Sequence, residues 1–182
     1  MKRTLGLTLL LFATLFSCMR QEKPLPAELS RAESVMWEHP DSALSILRSM
    51  PQSSLSSGKN YATWALLLAQ ARDKVYGKRL PDSLNIPSSD KLVQDAMDYF
   101  EKEGNLKRMA QTYYYKGQLL KDQKKITEAM PFFLKSKEMM TTLDEPLFTY
   151  LICQSLGNTY RYQDLYEESL VQLKDAYQYA LR

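Results

Sequence analysis

The residues that could do chemistry in this chain are few, and their spacing suits binding better than catalysis. The 182 residues include one histidine, His39, and two cysteines, Cys18 and Cys153. Asp41 and Ser42 follow His39 closely, but the side chains of a catalytic triad must converge from separate parts of a fold. We therefore expect His39 to occupy a turn, and the sequence predicts no catalytic residue.

The acidic and basic residues give no metal, phosphate or nucleic-acid site either. Glutamates stand close together at Glu101 and Glu103 and again at Glu167 and Glu168, but both pairs follow the polar side of a helical pattern and are expected to be exposed. A single histidine leaves no zinc-ligand spacing, and a glycine-rich phosphate loop is missing. The net charge is only +3. The sequence therefore predicts no metal, no cofactor and no nucleic-acid partner.

The segment that ends at Cys18 is the most informative part of the sequence about where the protein is located. Lys2 and Arg3 make a positive start, and residues 5–16 form an almost unbroken apolar run. That run is shorter than the roughly 20 residues of a membrane-spanning helix but has the length of a signal-peptide core. It ends in Leu-Phe-Ser-Cys, which resembles the lipobox of bacterial lipoproteins. The resemblance implies that residues 1–17 are a signal peptide and that Cys18 is lipidated, for example with palmitate. The alternative is an ordinary secretory signal with an incidental cysteine.

The segment after Cys18 bears on where the protein is anchored. Residues 18–26 contain two prolines and are expected to form a short extended tether. They lack the acidic run that resembles a surface-export signal in some Gram-negative lipoproteins. We therefore expect a protein anchored by its lipid in the cell envelope of a Gram-negative bacterium and facing the periplasm. With Cys18 acylated, Cys153 has no thiol partner, and its apolar surroundings predict a small buried residue.

Helical periodicity dominates the rest of the chain. Apolar residues recur at the spacing of a helix face, no window alternates like a strand, and proline or glycine separates the segments. The pattern predicts eight helices, at approximately residues 27–38, 41–50, 59–76, 89–103, 106–122, 126–142, 146–163 and 166–181. Residues 27–182 are thus predicted to be one all-α domain. Pro131 should bend or delay the sixth helix, and the run Tyr113 to Tyr115 should leave at least one ring partly exposed.

An internal repeat links the last four predicted helices. Gly117 and Gly157 each lie on the first helix of a pair, with a small residue twelve positions later and a large apolar residue four further on. The residues so placed are Ala129 and Phe133 after Gly117, and Ser169 and Leu173 after Gly157. A glycine inside a helix costs about 1 kcal/mol relative to alanine, so we expect each glycine to allow close packing of the second helix of its pair. The remaining core positions are expected to be filled by Leu120, Phe133, Tyr160 and Leu173.

The spacing of these residues resembles the tetratricopeptide repeat, whose signature is W-x2-L-G-x2-Y, then A-x3-F, then P. The match is good over residues 110–182 and looser over residues 27–109, where the first helices, around Ala32 and from Trp64 to Ala71, lack the glycine of the signature. Tyr113 and Cys153 hold the tryptophan position, and the final proline is absent. The separation of Gly117 and Gly157 exceeds the period of about 34 residues that is usual in the family. The order of motifs is similar to that in tetratricopeptide lipoproteins and membrane-tethered regulators of Gram-negative bacteria.

The resemblance implies a fold and a binding surface. The fold is an α-solenoid of about four antiparallel helical hairpins, with a curved groove lined by the first helix of each pair. The side chains that face the groove in the third pair are Gln111, Tyr114, Gln118, Lys121 and Asp122, and in the fourth they are Leu151, Gln154, Asn158, Arg161 and Tyr162. Such a mixture of amide, aromatic and charged groups suits an extended peptide.

Within the groove, Asn158 and Arg161 form the pair whose predicted ligand is best defined. They stand one turn apart and are expected to hold a carboxylate. The alternative is that these groove positions are ordinary solvated sites on a helix. The function predicted is a non-catalytic scaffold for a protein or peptide segment.

Two other functions remain open. One is a sensory or structural fragment at the front of a longer regulator or envelope assembly factor, because no polar capping helix follows the eighth helix. Tyr177, Tyr179, Ala180 and Leu181 would then lie at an open end, which predicts self-association or a further C-terminal portion. The DNA-binding tail of the regulators is absent, so no transcriptional role follows. The other is an enzyme or a carbohydrate handler, for which the sequence offers no supporting residue.

Overall fold

The computed structural model of the chain describes residues 24–76 and 89–182. The predicted signal peptide, the lipidation site at Cys18, most of the tether and the connection at residues 77–88 lie outside the described residues. Within the two described ranges, none of the helices combines the length and the apolar character needed to cross a bilayer.

The described residues form eight α-helices and no strand. Their bounds are α1 Ala27–Val35, α2 Pro40–Ser49, α3 Gly58–Tyr76, α4 Ser89–Glu103, α5 Leu106–Asp122, α6 Ile126–Thr142, α7 Pro146–Arg161 and α8 Tyr166–Ala180. A 3₁₀ turn at Gln52–Leu55 precedes α3 and is not among the predicted elements. The all-helical prediction is confirmed, and each predicted end lies within three residues of the observed one.

Local residue types explain where some helices begin. α2 begins with Pro40, at a position where the missing N–H would have no partner within the helix. Asn105 caps α5, because its Oδ1 accepts a hydrogen bond from the Arg108 backbone N–H at 3.0 Å. His39 precedes α2, and its own backbone N–H donates to the carbonyl of Val35 at 2.8 Å. The prediction that His39 occupies a turn is therefore confirmed.

Pro131 does not delay α6, so that part of the prediction is wrong. α6 begins at Ile126 and continues to Thr142, with Pro131 inside it on the exposed side. The carbonyl that lacks its N–H partner belongs to Thr127, which is also exposed. Water can bond that carbonyl, and this reduces the cost of a proline within a helix.

The turns from α4 to α8 repeat one backbone conformation. Four residues with positive φ, evenly spaced along the chain, follow the ends of these helices: Gly104 at 70°, Lys124 at 62°, Asp144 at 52° and Asp164 at 58°. In the last three turns, the next backbone N–H bonds to a carbonyl five residues earlier, as Lys125 does to Leu120 at 2.9 Å. This bond satisfies a carbonyl at the helix end. The four helices from α5 to α8 therefore begin at a constant interval along the sequence.

The helices form two layers. Each helix packs against its neighbours in sequence, and α1 with α3, α3 with α5 and α5 with α7 also approach within 8 Å between Cα atoms. For the described residues, no two even-numbered helices approach this closely. α5 and α6 run antiparallel, since Gly117 meets Phe133 while the earlier Ala110 meets the later Ser136. We call the two layers the odd-helix layer and the even-helix layer.

The middle of α5 is enclosed on all sides, which overturns one prediction. Tyr113, Tyr114 and Tyr115 are only 6%, 5% and 3% exposed, so the expectation that one ring is partly exposed is wrong. The reason is that α3, α4, α6 and α7 all contact α5. Tyr113 Oη donates to Oε1 of Glu101 at 2.7 Å, and burial together with this carboxylate raises the pKa of Tyr113 to about 12. The Tyr114 ring lies edge-on to that of Phe148 in α7.

Cys153 is fully buried in α7, which confirms its prediction as a small buried residue. Burial raises the pKa of its thiol, and the nearby ammonium of Lys137 lowers it by a smaller amount. Lys137 Nζ itself donates to Oε1 of Gln172 at 2.8 Å and to Oδ2 of Asp175 at 2.7 Å. This long side chain therefore joins α6 to α8 although their backbones stay apart.

Candidate functional site

Two glycines set the spacing between the layers beneath the candidate site. A Cβ atom on Gly117 would lie 2.7 Å from Cε1 of Phe133, and one on Gly157 would lie 2.7 Å from Cγ of Leu173. Both distances are well inside van der Waals contact, so a side chain at either position would collide. Ser169 Oγ also donates to the carbonyl of Gly157 at 2.8 Å. The structure thus brings Phe133 against Gly117 and both Ser169 and Leu173 against Gly157, as the spacing predicts.

The neighbouring core positions are filled to different degrees. Ala129, Phe133 and Leu120 are buried and Tyr160 is half-buried. Leu173 remains 39% exposed, so the prediction that it fills the core is wrong for the outer part of its side chain. The reason is that no helix of the described residues covers the far side of α8.

Polar side chains of α5 are connected along the odd-helix layer. Gln118 Nε2 donates to Oη of Tyr114 at 2.8 Å, and Lys121 Nζ donates to Oε1 of Gln118. Tyr114 also hydrogen-bonds with Ser155 of α7, and burial raises the pKa of its hydroxyl far above the ordinary value. Tyr114 is therefore a buried anchor beneath the half-buried Gln118 and Lys121.

Two carboxylates lie beside these groups. Asp73 of α3 and Asp122 of α5 line a small cleft together with Gln118. Burial raises the pKa of Asp73 and the charge of Asp122 raises it further, whereas Lys121 and Lys74 act in the opposite direction. The sequence did not reveal Asp73, because α3 lacks the glycine that sets the register of α5 and α7.

Among the predicted groove residues on α7 and directly after it, Leu151 and Asn158 are half-buried, and the other three are exposed: Gln154, Arg161 and Tyr162. Arg161 Nη2 donates to Oδ1 of Asn158 at 3.3 Å, and the guanidinium lies 5.9 Å from the ring centre of the exposed Tyr162. Gln154 donates to Oη of Tyr150 at 3.1 Å. Arg161 uses one guanidinium donor in these contacts, so it retains others for an acidic ligand.

α1 and the turn after it cover the opposite end of the odd-helix layer. Glu33 Oε2 accepts from Nη2 of Arg108 at 2.7 Å, and Arg108 Nη1 donates to Oε1 of Gln111 at 3.1 Å. The Trp37 ring lies edge-on to Phe148 of α7, with 5.5 Å between ring centres. Gln111 is buried beneath these contacts. We call the part left accessible the polar patch: Gln118, Lys121, Asp122, Asn158 and Arg161.

Comparison with known proteins adds no assignment for this patch. No protein-family model, no curated protein and no solved structure matches the chain. In the described ranges, no three His, Cys, Asp or Glu side chains lie close enough together to hold a metal ion. The chemistry of the polar patch is that of amides, two cations and a carboxylate.

Proposed function

We propose that this chain is a non-catalytic, lipid-anchored scaffold that binds an extended peptide or protein segment on the polar patch. The observation that carries this proposal is the series of hydrogen bonds from Lys121 through Gln118 to the buried Tyr114, whose hydroxyl also bonds to Ser155 of α7. Gln118 and Asn158 offer amides that pair with a peptide backbone. The charged groups beside them add selectivity for the side chains of the ligand.

A tetratricopeptide-like α-solenoid is the architecture we propose. The odd-numbered helices approach one another whereas the even-numbered helices stay further apart, and a stack of hairpins packed more closely on one side curves toward that side. The constant interval between the turns gives a hairpin repeat equal to the separation of Gly117 and Gly157. The polar patch then belongs to the concave side of the array.

The charges of the patch favour a ligand with a carboxylate near a basic group. Asn158 and Arg161 stand one turn apart, and together they present donors suited to a carboxylate. Asp122 and Asp73 lie on the neighbouring helices and attract a cation. A segment that carries one acidic and one basic residue fits both.

The test compares a patch variant with a matched surface variant of the full chain in detergent micelles. Immobilised extended peptides with acidic and basic residues serve as ligands. Asn158→Ala/Arg161→Ala should weaken the best binder about tenfold or more, because it removes charge-assisted hydrogen bonds. Arg48→Ala/Gln52→Ala, an Arg and an amide exposed on α2 and the turn after it, should leave binding unchanged. Equal affinities for both variants, with unchanged helicity, would reject the patch.

The membrane anchor is tested separately at Cys18. In cells supplied with a palmitate analogue, the wild-type chain should be labelled and should fractionate with membranes, whereas Cys18→Ser should lose the label. Retention of the label by Cys18→Ser would show that the lipid is attached elsewhere. Absence of label from the wild type would favour the ordinary secretory signal.

A role in assembly is the second candidate function. One observation favours it: α8 presents large apolar side chains to solvent, among them Tyr177 and Leu181 of the predicted open end. An exposed apolar helix face of this kind is typical of a surface that binds another protein.

A further inference from the structure

α8 and Leu181, the residue after it, carry a stripe of exposed apolar side chains, of which Leu173 also packs against α7. Its members are Tyr166 at 63%, Leu170 at 53%, Leu173 at 39%, Tyr177 at 63% and Leu181 at 67% exposure. Monomeric soluble proteins rarely leave so many large apolar side chains contiguous and exposed. The stripe is therefore an interaction surface.

The preceding hairpin shows what normally covers this face. The residues of α6 that lie one repeat before the first three members of the stripe are Ile126, Met130 and Phe133. Phe133 is buried against Gly117 of α5, whereas Ile126 and Met130 are half-buried on α6, the helix against which α7 packs. The face of α8 is thus shaped to receive a helix.

The spacing of the stripe specifies how that helix crosses. Tyr166, Leu170, Leu173 and Tyr177 are separated by four, three and four residues, which is the heptad spacing of a coiled-coil seam. Such a seam packs along a second helix at a small crossing angle. A second seam with the same spacing is the natural complement, and α8 of another copy provides it.

Charges beside the stripe favour a second copy in antiparallel orientation. We propose that two copies of this chain pair α8 against α8, with Tyr166 facing Tyr177 and Leu170 facing Leu173 of the second copy. Glu167 and Lys174 are both exposed, stand seven residues apart on the same edge of the seam, and form no ion pair within the described residues.

Antiparallel pairing brings these two charges together twice. Glu167 of each copy then flanks Lys174 of the other, in the edge position where coiled coils place the ion pairs that set orientation. Parallel pairing would instead set Lys174 against Ser169, which is uncharged and buried, and would give Glu167 no partner on α8, because the matching position precedes Tyr166. The charge pattern therefore selects the antiparallel dimer.

The first test is a charge exchange in the full chain, measured by sedimentation in detergent micelles. Lys174→Glu alone and Glu167→Lys alone each create two like-charge contacts and should weaken the dimer about tenfold. The double variant Glu167→Lys/Lys174→Glu restores both pairs and should recover the wild-type dissociation constant. A wild type that stays monomeric at every concentration, or a double variant as weak as the singles, would overturn the proposal.

The second test is cross-linking in intact membranes. Tyr166→Cys/Tyr177→Cys should form a covalent dimer on mild oxidation, because each new thiol faces its partner in the second copy. Tyr166→Cys alone should not, since residue 166 of one copy lies far from residue 166 of the other. Glu138→Cys, exposed on α6, is the control for random collision. A dimer formed by Tyr166→Cys alone would show parallel pairing and refute the arrangement.

Discussion

The two halves of the molecule build the same pair of layers in different ways. From α5 to α8, helices of similar length follow one another through identical turns, and glycines at 117 and 157 bring the layers together. From α1 to α4, the helix lengths vary from 9 to 19 residues and a 3₁₀ turn intervenes. There the contact depends on a large anchor instead: Trp64 of α3 donates its Nε1–H to the carbonyl of Leu47 at 2.8 Å. The two layers are therefore held close by small glycines in the second half and by a large hydrogen-bonded side chain in the first.

The largest difference in unfolding free energy between the halves is expected when one methyl group is added to a glycine in each. Gly117→Ala should lower the free energy of unfolding by about 2 kcal/mol, because its Cβ would meet the fully enclosed ring of Phe133. Gly58→Ala should cost about 0.5 kcal/mol or less, since its neighbour at 2.9 Å is the outer part of the half-buried Tyr99 ring, which can move. Urea denaturation of both variants measures the difference. Equal costs would show that the two halves tolerate added bulk alike.

The anchor of the first half gives the next effect. Trp64→Phe keeps an aromatic ring but removes the indole N–H, which leaves the buried Leu47 carbonyl without this donor. The expected loss is about 1–2 kcal/mol of unfolding free energy. Thermal unfolding followed by circular dichroism checks it, with Tyr99→Phe as a milder aromatic control. A loss well below that range would place the stability of the first half in other contacts.

The residues with positive φ after α4 and after α5 predict two opposite changes of similar size. Gly104→Ala should destabilise by about 1 kcal/mol, because alanine disfavours its φ of 70° although no atom lies within 4 Å of the added Cβ. Lys124→Gly should stabilise by up to about 1 kcal/mol, since it relieves the same conformation in a lysine. Melting temperatures of both variants test this. Shifts in the same direction would contradict the account of the turns.

The smallest effect concerns pH at the boundary between the halves. The pKa of Asp73 is raised by burial and by Asp122, so its charged form costs stability at neutral pH, and that cost disappears as pH falls through the raised pKa. Asp73→Asn should therefore raise the melting temperature slightly at pH 7 and have no effect in acid. An increase that persists unchanged at acidic pH would assign the gain to something other than ionisation.

Sequence periodicity was sufficient for the helices and for the glycine contacts of the second half. Gly117 and Phe133 stand at a fixed spacing on two helices joined by a short turn, so their encounter follows from local geometry. The covering of Gln111 by Glu33 and Arg108 could not be predicted in this way, because Glu33 and Arg108 are far apart in sequence and no motif sets their register.

The burial of three consecutive tyrosines was missed for a related reason. Helical periodicity assigns each residue to a direction, but it does not say how many neighbours surround the helix. α5 contacts four other helices, and at the tyrosine run all three side-chain directions lead into packed residues. Asp73 was missed because α3 carries no spacing that relates it to α5.

The enclosure of Cys153 has a consequence for the durability of the protein. A thiol reacts with disulfides and oxidants as its thiolate, and burial both raises the pKa of Cys153 and denies reagents access to its sulfur. An unpaired cysteine placed in this way resists mixed-disulfide formation even in an oxidising compartment. The folded chain can thus keep the Cys153 thiol reduced without a reductase to protect it.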